Sequence, residues 1–149
     1  PLMKEYGFPW TLFLVTDDVG KPYNRMTWDQ LREMANSHTV TIANHTLSHP
    51  KPHYLKTRAD KEREIVGANQ ALKYQLGIDN VWLAYPYGDY DDEVIDVCKK
   101  AGIKMAVTTD AGRAHVGSYP FELKRAYIGN DISLARFSER LSKDNYSTV

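Results

Sequence analysis

The sequence lacks the features that would assign it at once to a specialised class of protein. It has one cysteine, Cys98, so no disulfide can form within the chain. Residues 94–98 have the apolar spacing of a helix face, which indicates that Cys98 is a core side chain rather than a nucleophile. Lysine and arginine together number 19, and aspartate and glutamate also number 19. This balance argues against partners that need a charged patch, such as nucleic acid or an anionic membrane.

Two further absences limit the classes of fold that the chain can adopt. No apolar run reaches the roughly 20 residues that a membrane-spanning helix needs, so we expect no membrane-spanning segment. No internal repeat or low-complexity segment interrupts the chain. The 149 residues therefore fit one domain with a real core.

Strand-like and helix-like segments alternate along the chain. Strands are predicted at 11–16, 40–43, 81–85 and 104–109, an extended segment at 121–128, and helices at 28–37, 57–76, 91–101 and 133–141. Thr27 and Gln30 have the spacing of a capping box, and Gly77 and Gly102 follow two helices as stop signals. The alternation predicts an α/β domain with a largely parallel sheet.

The first residues have the pattern of a helix end. Residues 1–7 read as the last turns of a helix that Gly7 ends. An α/β chain normally supplies a strand before such a helix. We therefore expect residues 1–149 to be a single domain that is incomplete at its N-terminus.

Two histidines four residues apart, His45 and His49, follow the predicted strand 40–43. One helical turn between them would direct both imidazoles to one point, which is the beginning of a zinc-type site. Such pairs also occur by chance, so the residues of the neighbouring loops are needed to distinguish a metal site from a chance pattern. Loops at the carboxyl ends of parallel strands gather at one edge of the sheet. Here the other loops carry Asp17, Asp18, residues 85–88 and Asp110.

Two segments carry a resemblance to a known family. Residues 45–50 (HTLSHP), followed by residues 83–88 (LAYPYG), resemble the second and third motifs of the polysaccharide deacetylases, the NodB-type carbohydrate esterases. The resemblance runs from about Tyr6 to Phe137. It implies a distorted (β/α) barrel that removes N-acetyl groups from an N-acetylglucosamine polysaccharide with zinc or another divalent metal. It also implies an extracellular or cell-surface location.

The resemblance assigns roles to individual residues. His45 and His49 would be metal ligands, the backbone N–H of Tyr87 would hold the oxyanion, and Thr46 would support the ligand loop. The substrate-binding positions implied in the same way are Tyr85, Pro86 and Tyr87. Amide hydrolysis needs a nucleophilic water and a stabilised oxyanion, and a metal with one backbone N–H supplies both.

The first motif of the family, Thr-Phe-Asp-Asp-Gly, provides the catalytic base and the third metal ligand. It precedes the helix that ends here near Gly7, so we expect the motif to be missing. Asp17 and Asp18 imitate it, but Asp18 lies only 27 residues before His45. A polar turn is therefore the favoured role, and Asp18 as third ligand is the less favoured alternative. With two protein ligands instead of three, we expect weak or no activity from this chain.

A further departure concerns the arginine that the family commonly has before its Pro-Tyr pair. Ala84 stands in that position. Together with residues 124–128 (KRAYI), this resembles the branch that deacetylates poly-N-acetylglucosamine in biofilms. Arg125 is a candidate replacement for the arginine, although a surface or structural ion pair is the favoured role.

The remaining polar candidates have weaker support. His115 is a candidate catalytic acid, but a solvated loop histidine is favoured. Asp110 either orients a catalytic group or caps a turn. His38 and His53 are predicted surface residues.

Two other functions stay open at this point. A carbohydrate-binding relative without activity would use the aromatic side chains of Trp82, Tyr85 and Tyr87. A zinc amidohydrolase acting on peptidoglycan or another amide would use Asp17 or Asp18 as its third ligand. Loss of zinc with Asp18→Ala would favour the second of these, and saccharide binding that survives chelation would favour the first.

Overall fold

Five strands form one sheet in which every neighbouring pair is parallel. The computed structural model describes residues 2–143. The strands are β1 (Trp10–Leu14), β2 (Val40–Asn44), β3 (Trp82–Ala84), β4 (Met105–Ala111) and β5 (Leu123–Arg125). Their order across the sheet is their order in the chain. Such an order is typical of a (β/α) barrel wall, whereas a doubly wound sheet reverses its order. The predicted α/β fold with largely parallel strands is confirmed.

Helices connect the first four strands. The helices are α1 (Leu2–Glu5), α2 (Trp28–Ala35), α3 (Arg58–Leu76), α4 (Asp92–Lys100) and α5 (Leu134–Ser142). The predicted capping box is complete, because Thr27 and Gln30 each accept a hydrogen bond from the other's backbone N–H. Helix α3 ends at Gly77, which has a φ of 71°. Glycine adopts this left-handed conformation at little cost, which explains the stop.

The core consists of two clusters of apolar side chains, and α3 contributes to both. Ile65 of α3 packs in the cluster formed with β3, α4 and β4, and Leu72 packs in the cluster formed with β1, α2 and β2. Cys98 lies buried in the first cluster. Burial raises the pKa of its thiol to about 12. The prediction that Cys98 is a core residue is confirmed.

Some boundaries differ from the predictions. The predicted extended segment 121–128 is reduced to β5, because its pairing with β4 is irregular. Val107 pairs with Leu123 and Ala111 with Arg125, with a shift of register between the two pairs. At the other edge of the sheet, β1 ends at Leu14 and residues 16–18 form a 3-10 turn. Within residues 2–143, no helix combines the length and apolar character needed to cross a membrane.

Candidate active site

The fold brings the two histidines together at the carboxyl edge of the sheet. His45 follows the last residue of β2 directly, and a tight loop returns His49 to its side. The ring centroids of His45 and His49 are 4.7 Å apart, with planes at 72°. The ring of Tyr87, from the loop after β3, lies 4.8 Å from that of His49. Two of the loops singled out in the sequence therefore meet at one place.

The tautomer of His45 is set by a hydrogen bond. Its Nδ1 lies 2.7 Å from the carbonyl oxygen of Ala84, the last residue of β3. Since a carbonyl oxygen only accepts, Nδ1 carries the proton, and in the neutral ring Nε2 keeps a free electron pair. A metal-binding histidine is commonly oriented by a hydrogen bond of this kind.

Electrostatics also favour the neutral ring. Burial lowers the pKa of His45 below its ordinary value, and the positive charges of His49 and Arg125 act in the same direction. The hydrogen bond to Ala84 acts against them but does not reverse the shift. Metal binding requires a deprotonated imidazole nitrogen, so this environment suits a metal ligand.

The histidine loop is anchored by Asn44, a fully buried residue at the end of β2. Its side-chain amide donates to the carbonyl of Ile65 at 2.9 Å and to Oδ1 of Asn69 at 2.7 Å. Its Oδ1 accepts from the backbone N–H of Thr46 at 2.6 Å. Asn44 therefore joins the start of the loop to helix α3. A polar residue ending an apolar strand is the signal that could have pointed to it.

Glu64 of α3 holds the other half of the loop. It is 1% exposed, and its two carboxylate oxygens accept from the N–H and Oγ of Ser48 at 2.8 and 2.9 Å. Its backbone carbonyl accepts from the N–H of Leu47. Sequence reasoning missed Glu64. The available signal was its helical spacing with Ala68 and Leu72, which places an acidic residue on the buried face of α3.

Three site residues have backbone conformations that side chains disfavour. Thr46, His49 and Tyr87 have φ values of 66°, 62° and 59°. For a β-branched residue such as threonine this is a genuine outlier. The Oγ1 of Thr46 accepts from the N–H of His49 at 3.1 Å. The predicted support of the loop by Thr46 is therefore confirmed, and such strain persists where surrounding contacts determine the conformation.

The Tyr87 loop is held against β4. Thr109 donates from Oγ1 to the carbonyl of Tyr87 at 3.3 Å. A Cβ on Gly88 would lie 2.0 Å from that Oγ1, so only glycine fits there. Among residues 2–143, the N–H of Tyr87 has no protein acceptor. It is therefore a free donor, as an oxyanion-binding N–H must be, and the ring of the same residue lies beside that of His49.

The neighbouring aromatic residues do not behave as predicted. Tyr85 is 1% exposed, donates to the carbonyl of Phe121 at 3.0 Å and stacks on Tyr90. Pro86 is also buried. The predicted substrate contacts of these two side chains are therefore corrected: both pack inside the protein. Trp82 begins β3 and is half-buried, and its ring takes no part in the aromatic contacts that join Tyr87 to the histidine pair.

The aspartates after β1 do not complete a metal site with the histidine pair. The carboxylate of Asp18 pairs with Lys21 at 3.2 Å and with Arg25 at 3.1 Å. Among the residues that the structure describes, no group of three His, Cys, Asp or Glu side chains could hold a metal. Asp17 and Asp18 therefore form the polar turn that the sequence favoured, and neither stands beside His45 as a third ligand.

The remaining candidates occupy separate places. Arg125 donates from Nε to the carbonyl of Thr108 at 2.8 Å and is close enough to His45 to affect its pKa. His115 lies exposed in the loop between β4 and β5, beside a cavity of about 390 Å³. Asp110 is exposed within β4. His38 and His53 are surface residues, as predicted.

The imidazoles that are present fit a divalent metal as two of the three protein ligands that a catalytic zinc usually has. The two rings lie 4.7 Å apart, and the ring of His45 is oriented by its hydrogen bond to Ala84. Beyond these residues, the sequence from 1 to 106 matches the family described as polysaccharide deacetylase.

The chain belongs to the polysaccharide deacetylase family.

Relatives of known name agree with this membership. Poly-beta-1,6-N-acetyl-D-glucosamine N-deacetylase of Staphylococcus aureus (strain MRSA252) is 27% identical over 143 residues, which cover 88% of this chain and 49% of that protein. YxkH of Bacillus subtilis (strain 168) is 27% identical over 137 residues, covering 92% and 48%. The chain thus spans about half the length of these curated relatives.

A solved structure shows the same fold. The Streptococcus pyogenes deacetylase PplD, in complex with acetate, superposes with a TM-score of 0.88. It is 23% identical, and the superposition covers 96% of this chain and 63% of that one. The predicted fold class of the NodB-type deacetylases is confirmed.

Proposed function

We propose that this chain belongs to an enzyme that removes N-acetyl groups from an N-acetylglucosamine polysaccharide. The observation that carries the proposal is the histidine pair itself, with the imidazole of His45 oriented by Ala84 and the ring of Tyr87 beside His49. Family membership and a relative named as a poly-β-1,6-N-acetylglucosamine deacetylase support the reaction and the polymer. Because such polymers lie outside the cell, we also propose an extracellular or cell-surface site of action.

The proposed chemistry distributes its tasks among a few residues. His45 and His49 would hold a divalent ion such as zinc, which when bound polarises the amide carbonyl and activates water. The N–H of Tyr87 would donate to the oxygen that gains charge as water attacks the acetamide carbon. Asn44 and Glu64 keep the ligand loop in its strained form, so no reorganisation is needed when substrate binds.

Zinc binding tests the site directly. We would titrate zinc into the purified chain by calorimetry and compare His45→Ala and Asp18→Ala. We expect weak binding by the wild type, loss of binding in His45→Ala, and unchanged binding in Asp18→Ala, because Asp18 is paired with Lys21 and Arg25. Tight stoichiometric binding that Asp18→Ala abolishes would contradict this proposal and favour the amidohydrolase that uses Asp18.

Turnover provides the second test. With two protein ligands for the metal among residues 2–143, we expect slow or undetectable release of acetate from acetylated chito-oligosaccharide. Fast turnover that a chelator abolishes would show that the site is complete in this chain.

The lack of a third protein ligand for the metal among residues 2–143 also favours a second candidate, a carbohydrate-binding protein without activity. Only one of its three proposed aromatic residues, Tyr87, is exposed at the site. This candidate predicts saccharide binding that is unaffected by a chelator and by His45→Ala.

A further inference from the structure

An exposed group of side chains lies next to the histidine pair and has no part in the chemistry proposed above. Tyr54 is 66% exposed and Tyr87 is 58% exposed. The Nζ of Lys51 lies 5.6 Å from the ring centroid of Tyr54 and 5.3 Å from that of Tyr87. These distances are typical of cation–π contacts, so one ammonium group contacts both rings. We call Lys51, Tyr54 and the ring of Tyr87 the tyrosine shelf.

Contacts between two loops hold the tyrosine shelf in place. Pro52 is buried at the start of the 3-10 turn that carries Tyr54. His53 donates its backbone N–H to Oδ2 of Asp89 at 3.1 Å, and its Nδ1 lies 2.5 Å from the same oxygen. The His53 ring packs edge-on against Tyr54 at 4.1 Å. Asp89 follows the Tyr87 turn, so this contact joins the loop after β2 to the loop after β3.

The position and rigidity of the shelf define what it can bind. One end touches the metal site, because the Tyr87 ring lies 4.8 Å from that of His49. Exposed tyrosine rings offer an apolar face with a polar tip, and rings that are already fixed lose little conformational entropy on binding. A pyranose ring has an apolar C–H face and a rim of hydroxyl groups. The two rings match that face, and the ammonium group of Lys51 matches hydroxyl or carbonyl oxygens.

We propose that the tyrosine shelf is a saccharide subsite for the sugar next to the one whose acetamide meets the histidine pair. The inference rests on the proposed function for the location of the reacting sugar. The chain would then select an oligomer or polymer over a monosaccharide, since a single sugar in the reacting position leaves the shelf empty.

Binding of defined saccharides tests the shelf. We would measure dissociation constants by NMR titration for N-acetylglucosamine and for its β-1,6-linked tetrasaccharide, with wild type, Tyr54→Ala, Tyr54→Phe and Tyr74→Ala. Tyr74 is the matched control, because it is 87% exposed near the end of α3 that lies away from the site. We expect Tyr54→Ala to weaken tetrasaccharide binding about tenfold. Tyr54→Phe should retain most of the affinity, and Tyr74→Ala should match wild type.

The outcomes separate the shelf from the proposed reaction. Equal tetrasaccharide affinity of Tyr54→Ala and Tyr74→Ala, or a wild type that binds both saccharides equally, would overturn the shelf. Zinc titration of the same variants reports on the metal site alone, and Tyr54→Ala should bind zinc as wild type does. If tetrasaccharide binding depends on Tyr54 but no zinc binds to His45, the proposed reaction fails and the shelf stands.

Discussion

The residues with unfavourable backbone conformations lie where the two functional loops meet. Thr46, His49 and Tyr87 all have positive φ values, and each backbone takes part in a hydrogen bond with a side chain: that of Asn44, Thr46 and Thr109, respectively. Strain of this kind costs on the order of 1–3 kcal/mol at each position. It brings the two imidazoles and the Tyr87 ring together without needing a bound ligand to arrange them.

Gly88 provides the sharpest test at the scale of single residues. Gly88→Ala would combine a φ of 71° with a Cβ that lies 2.0 Å from Oγ1 of Thr109. We expect the free energy of unfolding to fall by about 1–3 kcal/mol, because the Tyr87 loop must move away from β4. Urea denaturation measures the change.

Gly77→Ala is the matched control for this experiment. Gly77 also has a φ of 71°, but no atom lies within 4 Å of its missing Cβ. It therefore isolates the cost of the backbone conformation. A loss in Gly88→Ala no larger than in Gly77→Ala would show that the contact with Thr109 does not constrain the loop.

At the scale of elements, helix α3 is the support of the site. It presents Glu64 and Asn69 to the histidine loop near the carboxyl edge of the sheet, while its apolar residues fill the core. Both ends of α3 were predictable, because Thr57 caps its start and Gly77 ends it. The role of Glu64 was not, since a charged helix residue is ordinarily a solvated one.

Glu64→Ala tests this support. The change removes the buried carboxylate that accepts from the N–H and Oγ of Ser48, so we expect the free energy of unfolding to fall by about 1–3 kcal/mol. Zinc affinity should fall as well, because the loop between His45 and His49 loses its tie to α3. Denaturation and zinc titration measure the two effects.

Glu62→Ala is the control on the same helix, since its carboxylate is about half exposed and pairs with Arg58 at the surface. Surface ion pairs contribute little, so this variant should lose less than about 1 kcal/mol and bind zinc as wild type does. Equal effects of the two substitutions would indicate that Glu64 acts only through helix stability.

At the scale of the whole molecule, the two apolar clusters are coupled through α3. One cluster lies under β3 and β4 and contains Ile65 of α3. The other lies under β1 and β2 and contains Leu72 of the same helix. Because a continuous helix links them, we expect residues 2–143 to unfold in one cooperative transition.

Leu72→Ala tests the coupling. Leu72 is fully buried, so its truncation should cost about 2–5 kcal/mol. Unfolding should still be a single transition, with near-UV and far-UV circular dichroism changing together at a lower denaturant concentration. Tyr74→Ala, exposed on the same helix, should have little effect. Separate transitions for the two signals would contradict the coupling.

Local patterns in the chain determined its elements and its motifs. Helix caps, stop glycines and apolar periods act within a few residues, so the alternation of strands and helices could be predicted. The histidine pair and the Pro-Tyr segment were recognisable for the same reason, because each is a short motif at the end of a strand.

Only the tertiary structure decided which side chains stand beside those motifs. Tyr85 and Tyr87 are two residues apart, yet one is buried in the core and the other is exposed beside His49. Asp18 lies in the loop after a strand, as His45 does, but its carboxylate pairs with Lys21 and Arg25. Burial and pairing depend on contacts between residues distant in sequence, and a local pattern carries no information about them. The motifs of the site could therefore be recognised in the sequence. The residues that anchor it, Asn44 and Glu64, and its exposed surface are determined by the packing of α3 and the loops.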